Sequence, residues 1–213
     1  MMTVKRFVFN MLQENTYVVS DETREAVIID CGALYDEERT ALLNYIKDLR
    51  LKPVHLLSTH GHFDHNFGND TVWRTFGLQP EVAAEDEWLM DIRQQVRQMM
   101  GGADYEREFP PVGRRLSGDA AVSFGTHTLL VMATPGHTRG SVTFYCEAER
   151  MAFTGDTLFR MSIGRTDFES GSPADMAASL RKLAGLPADT VVYAGHGEPT
   201  TIGEEAERNP YML

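Results

Sequence analysis

Thr59-His60-Gly61-His62-Phe63-Asp64-His65 sets four side chains able to ligate a metal within six residues. It follows Val54–Ser58, a short apolar run after Pro53 that predicts a buried strand. A helix could not use this spacing. On one, His60 and Asp64 would share a face while His62 pointed away. A loop leaving a strand can gather all four, and Gly61 supplies the backbone freedom for it. The i, i+2 histidines suit one metal, and the adjacent Asp64-His65 pair suits a second. Imidazole and carboxylate together favour zinc, iron or manganese over calcium or magnesium.

Three later residues occupy the same kind of place, a glycine-flanked loop just after an expected strand. His137 lies in Thr134-Pro135-Gly136-His137-Thr138, Asp156 in Phe153-Thr154-Gly155-Asp156-Thr157, and His196 in Ala194-Gly195-His196-Gly197. Ligands collected at strand ends of an α/β scaffold converge along one sheet edge, where such folds place their sites. His55 and His127 lack this setting and read as histidines capping backbone groups.

Around these loops, β-rich runs at Val4–Phe9, Asn15–Ser20 and Ala26–Asp30 open the chain. Helical spacing follows at 36–50, and a further helix is predicted over 66–76. The stretch 85–100 has helical composition, and its continuation to Gly118 is polar with two adjacent prolines and reads as irregular; together they form a helical insertion around 85–118. β character returns at 121–124, 128–132, 142–146 and 151–154, with a strand at 190–193. Pro173 suits the first turn of a helix to Leu183. Thr201-Ile202-Gly203-Glu204 reads as a capping box opening the last helix, and Asn209-Pro210 would end it. Strands and helices mix throughout with no low-complexity linker, so residues 1–213 read as one α/β domain.

Composition narrows the function. Lys and Arg number 20 against 31 Asp and Glu, a net charge of −11 that argues against unaided nucleic-acid binding. An apolar fraction of 42% is enough for a core rather than a disordered chain. No run approaches the roughly 18 apolar residues of a membrane span, and no secretory leader is visible. Cys31 and Cys146 cannot staple a scaffold. The expectation is a cytoplasmic protein that binds neither membrane nor nucleic acid.

The ordered set Asp30, His60-Gly61-His62-Phe63-Asp64-His65, His137, Asp156 and His196 resembles the metallo-β-lactamase superfamily, and within it the glyoxalase II-like (hydroxyacylglutathione hydrolase-like) enzymes. Ser162-Ile163-Gly164-Arg165-Thr166-Asp167 looks like glyoxalase II relatives, and the ending Gly195-His196-Gly197-Glu198-Pro199 with Asn209-Pro210 looks like their single-domain branch. The resemblance implies a four-layer αββα sandwich holding two divalent ions, zinc first, with iron or manganese also accommodated. It implies that His60, His62 and His137 hold one ion, that Asp64, His65 and His196 hold the other, and that Asp156 bridges them. Asp30 would fix the ligand loop from behind, or else be an ordinary strand-end aspartate. Asp64 and Asp156 would be the catalytic carboxylates, working with a metal-bridging hydroxide. Arg165 would help hold the thiol half of the substrate, or else simply pair with Asp167.

The implied reaction is hydrolysis of a small-molecule acyl thioester of the S-lactoylglutathione type. A mononuclear-iron persulfide dioxygenase and a lactone or ester hydrolase of the same fold are the alternatives. An RNA-processing nuclease is disfavoured by the charge, and β-lactam hydrolysis by the bridging aspartate. The basic C-terminal domain with which two-domain relatives hold glutathione is not seen before Leu213, so the thiol is left open, as are the acyl group and the oligomeric state. The insertion would form a wall or lid over the metals. Met90, Met99 and Met100 in it read as core filler more readily than as an acyl pocket.

Overall fold

Period-two alternation along the first strands sorts their side chains onto two faces. The computed structural model describes residues 1–99 and 107–213, with the side chain of Met99 outside that description. In it β1 (Thr3–Phe9), β2 (Glu14–Ser20) and β3 (Glu25–Ile29) pair antiparallel. Tyr17, Val19, Val27 and Ile29 join one core cluster, whereas Val18, Ala26 and Ile28 join another. Helix α1 (Asp36–Asp48) carries the chain to β4 (Lys52–Leu57), and α2 (Asn69–Phe76) carries it to β5 (Pro80–Ala83). Both strands lie parallel to their predecessors, as crossover helices require. A 3₁₀ turn, Ala84–Met90, and α3 (Ile92–Met99) precede β6 (Arg114–Leu116), the sixth strand of this sheet.

The second sheet begins as the meander β7 (Ala121–Phe124), β8 (His127–Ala133), β9 (Val142–Cys146) and β10 (Met151–Gly155). A small hairpin, β11 (Leu158–Phe159) and β12 (Ser162–Ile163), then leads to α4 (Pro173–Ala184). From there β13 (Val191–Ala194) lies parallel to β10, β14 (Thr200–Thr201) closes the edge, and α5 (Ile202–Arg208) follows. Pro173 lies in the first turn of α4 and Thr201 Oγ1 accepts from Glu204 N at 3.2 Å to cap α5, as their sequences predict, and Ser172 caps α4.

Phe124, Phe144 and Phe153 of the second sheet meet Tyr17, Ile29 and Leu57 of the first between the sheets. Leu42 and Ile46 of α1, with Val72 of α2, cover the outer face of the first sheet. Met176, Leu180 and Leu183 of α4, with Ile202 of α5, cover Val192 on the second. The layers are therefore α, β, β, α, the expected sandwich. Each fully buried Leu or Phe contributes about 1.5–3 kcal/mol to it.

The insertion departs from expectation twice. Its helix is broken at Asp91, where φ −77° and ψ 76° leave the helical region and the side chain accepts from Gln94 N at 3.3 Å, capping α3. Its polar continuation contains β6, paired parallel with β5 through Glu81–Arg114, Val82–Arg115 and Ala83–Leu116. Ile92 and Val96 pack α3 onto Phe63 and Phe67 of the histidine turn. Cys31 and Cys146 are buried free thiols, and no helix among the described residues is long and apolar enough to cross a membrane.

Candidate metal centre

Four loops meet where the two sheets come together, each leaving the C-terminal end of a strand or the turn beyond it. After β4, the His60–His65 turn is closed by Asn66, whose Nδ2 donates to His60 O at 3.1 Å and His62 O at 2.7 Å. Ser58 Oγ donates to Asn66 Oδ1 at 2.6 Å and fixes the amide. Buried Asp86, from the insertion, accepts from Gly61 N at 3.0 Å, Gly140 N at 2.8 Å and Thr138 Oγ1 at 2.6 Å. It thus ties the His60–His62 turn to the loop of His137. Gly155, at φ +49°, turns the chain from β10 into Asp156, and a Cβ there would overlap Thr59. The loop of His196 is held across the sheets by β2. Asn15 N donates to Gly195 O at 2.7 Å, and Tyr17 Oη donates to Ala194 O at 2.7 Å.

All seven residues expected to bind metal come together. The donor atoms of His60, His62 and His137 lie within 4.8 Å of one another, as do those of Asp64, His65 and His196. Asp156 stands between the groups. Its Oδ1 is 3.4 Å from His65 Nε2, while its Oδ2 is 3.5 Å from His137 Nε2 and 3.6 Å from His196 Nε2. Asp64 Oδ2 lies 3.4 Å from His196 Nε2 and 3.6 Å from His65 Nε2. A Cβ on Gly195 would overlap Asp156 and His65, so glycine keeps this space open.

The residues fit metal ions on a direct test. His60 Nε2, His65 Nε2 and Asp156 Oδ1 are buried with no hydrogen-bond partner, a cost a protein seldom leaves uncompensated. The opposite ring nitrogens are engaged. His60 Nδ1 meets Thr59 Oγ1 at 3.0 Å, His137 Nδ1 donates to Arg165 O at 2.8 Å, and His196 Nδ1 donates to Leu12 O at 3.1 Å. His65 Nδ1 donates to Asp30 Oδ2 at 3.1 Å, and Asp30 also accepts from Thr59 N and Thr59 Oγ1, each at 2.7 Å. These outer bonds orient the inner nitrogens as metal-site partners do. Asp30 makes them from a left-handed backbone, φ +51°, which costs about 1–2 kcal/mol.

Protonation follows the same geometry. Burial pushes His60 well below its ordinary value and takes His62 down to about 4, leaving neutral imidazoles. Burial also opposes ionisation of Asp64 and Asp156. The charge of His65 outweighs it, so Asp64 lies below and Asp156 well below the usual carboxylate range. Burial would lower His65 and His196 too, yet the carboxylates of Asp64 and Asp156 raise both. A metal cation between these groups would replace those protons.

The cluster floors a cavity of about 590 Å³. The insertion supplies one wall through Trp88, Leu89, Gln94 and Gln95, and the segment after β12 supplies another through Arg165 and Phe168. Arg165 pairs with Asp167 through two 2.6 Å bonds as it lines the cavity. Met90 is half-buried and not among the lining residues, while the side chain of Met99 and the whole of Met100 fall outside the described residues. His55 and His127 do not face the cluster. They pair with carboxylates, His55 with Glu81 at 2.5 Å and His127 with Asp21 and Glu149 at 3.0 Å each.

Sequence reasoning misses two carboxylates. Asp86 sits in the acidic run Glu85-Asp86-Glu87, which resembles a solvated face. Glu14 opens β2 and is fully buried, its Oε1 lying 4.0 Å from His65 Nδ1. Burial holds its carboxyl well above the usual range. A glutamate at the start of an apolar strand is the one signal that could have marked it.

A model of the metallo-beta-lactamase superfamily matches residues 10–196, a span that contains every donor described above. The hydroxyacylglutathione hydrolase GloC of Haemophilus influenzae is 34% identical over 202 residues, covering 94% of this chain and 93% of its own. Among solved structures, the BLEG-1 B3 metallo-beta-lactamase superposes with a TM-score of 0.88 at 34% identity, covering 99% of this chain and 100% of that one. TTHA1623 in a di-iron-bound form gives a TM-score of 0.84 at 34% identity, covering 98% and 100%. Matches of this extent, running through the strand-end donors, establish that the chain belongs to the metallo-β-lactamase superfamily.

Proposed function

We propose that the protein is a dinuclear metal-dependent hydrolase of acyl thioesters, of the glyoxalase II type. The observation that carries this reading is the carboxylate of Asp156, which turns one oxygen toward His65 and the other toward His137 and His196. His60, His62 and His137 would hold one ion, Asp64, His65 and His196 the other, and Asp156 both. Zinc is the first candidate, and the di-iron form of TTHA1623 keeps iron beside it. Bound there, two divalent ions would supply Lewis-acid charge at the acyl oxygen and acidify a water.

The chain's own groups do the positioning. Asp64 lines the cavity, where its carboxylate would accept a hydrogen bond from the attacking water and orient it toward the carbonyl. The outer bonds of Asp30, Thr59, Arg165 O and Leu12 O hold the imidazoles in place. In the reaction the acyl carbon gains the water oxygen and loses sulfur. A thiol has a pKa near about 8.5, so its thiolate leaves without a dedicated acid.

The relationship to GloC, a hydroxyacylglutathione hydrolase, supports thioesters as the substrate class. BLEG-1, a B3 metallo-beta-lactamase of equal identity, works against the expectation that the bridging aspartate disfavours β-lactams. The test is a panel on metal-quantified protein: S-D-lactoylglutathione and other thioesters, lactones, a chromogenic β-lactam, and a persulfide with an oxygen electrode. Metal-dependent thioester cleavage is expected to dominate. One iron per chain with oxygen uptake on persulfide, or β-lactam turnover exceeding every thioester, would overturn the proposal.

A further inference from the structure

We infer that the cavity walls favour a neutral or cationic thiol half over an anionic one. This rests on the thioesterase reading above. Apart from the histidines, Arg165 is the one basic side chain among the described lining residues. Its side-on donors are already engaged. Nε and Nη2 each reach Asp167 at 2.6 Å, and the guanidinium lies 4.4 Å above the Phe168 ring. The side-on pair of donors, Nε and Nη2, is therefore taken from within the chain, and Asp167 offsets the charge an anionic thiol would meet there.

Beyond the metal-binding residues, the other charged lining residues are Asp91 and Glu169. Asp91 has Arg93 at 3.8 Å. Counting both arginine–aspartate pairs as neutral leaves Glu169, a net charge of −1. Residues 100–106, outside the described chain, contain no lysine, arginine or histidine. The remaining surface is uncharged, chiefly aromatic, aliphatic and amide: Trp88, 56% exposed, with Phe159, Phe168, Leu89 and three glutamines of the insertion. Ring faces beside a carboxylate attract cations, and against an anion the walls set only neutral amide and hydroxyl donors. The acyl oxygen that metal ions at the floor would bind is common to every thioester, so the wall charge is read by varying the thiol half alone.

The experiment holds the acyl group constant and varies the thiol. Rates with metal-loaded protein at low ionic strength are compared for acetylthiocholine (cationic), S,N-diacetylcysteamine (neutral), and S-acetyl-3-mercaptopropionate and S-acetylglutathione (both anionic). The kcat/KM of the first two should exceed that of the anions by about tenfold or more, and the gap should narrow in high salt. Asp167→Asn should free Arg165 and raise kcat/KM for the anions about threefold or more, with the neutral thioester unchanged. Binding is read separately, without turnover, from the Trp88 fluorescence change caused by the S-methyl thioethers of the same thiols, with Trp88→Phe as blank. It should follow the same order. Anions cleaved and bound as well as the cation, or an Asp167→Asn variant with unaltered preference, would overturn the inference. Failure to cleave any thioester would instead remove the hydrolase proposal, and the fluorescence order would still decide the charge preference of the cavity.

Discussion

Asp86 lies outside every metal-ligand motif, yet its removal should disable one half of the site. Its carboxylate accepts from Gly61 N, Gly140 N and Thr138 Oγ1, joining the two loops that carry His60, His62 and His137. In Asp86→Ala the two backbone N–H groups lose their buried acceptor, at about 1–3 kcal/mol each, so a total near 2–6 kcal/mol is expected. Burial pushes the Asp86 carboxyl up, so a neutral Asn escapes part of that desolvation cost. It still turns an amide N–H toward one of the donors, and Asp86→Asn should cost about 2–4 kcal/mol. In a chain of 213 residues that is a fall in Tm of roughly 5–15 °C. The ion held by His60, His62 and His137 should bind about 10–100-fold more weakly, as when other supporting partners of ligands are lost. The ion at Asp64, His65 and His196 should be retained. Thermal melts and metal quantification after dialysis against a graded chelator read both effects. Wild-type Tm in both variants with two equally tight ions would refute the reasoning.

Further outcomes follow from the other contacts. Asp156→Ala should abolish nearly all turnover and bring metal content below two ions per chain; wild-type turnover with both metals present would remove the bridging role. Asp30→Asn should weaken metal at His65 by about 10–100-fold through the lost His65 Nδ1 acceptor, measured by competition with a chromogenic chelator. His127 joins Asp21, after β2, to Glu149, after β9. Burial would lower it, but the bonds to both carboxylates outweigh burial and raise it. A raised histidine stabilises the fold fully below its unfolded value of about 6.5 and loses that effect as pH rises through the folded value. Urea melts should therefore show the deficit of His127→Gln largest near pH 6 and smaller at pH 9, and an equal deficit at both would contradict the ion-pair account.

The strand and helix runs and the candidate donors were legible because they follow local rules, whereas the four-layer sandwich was implied by the family resemblance. The β-rich runs marked the strands, and the fold turns their Tyr17, Val19, Val27 and Ile29 onto one face. Glycine-flanked strand ends marked His137, Asp156 and His196, which the fold gathers at one edge. The β6 strand was not legible: Arg114-Arg115-Leu116 is too short for a period, and only the distant Glu81–Ala83 makes it a strand. Short charged strands of this kind suit a sheet edge. The break at Asp91 and the burial of Asp86 likewise depend on packing against the histidine turn, which composition does not encode. Glu14 and Asp86 each act singly, with no spacing to reveal them.

The central claim is tested most directly by following S-D-lactoylglutathione and the acetyl thioester series with protein of measured metal content, while recording dissolved oxygen. The account predicts one thiol and one carboxylic acid released per thioester, no oxygen uptake, loss of activity on chelation, and its return on adding two equivalents of divalent metal. Fully metallated protein that leaves every thioester intact, or that consumes oxygen in proportion to turnover, would contradict it.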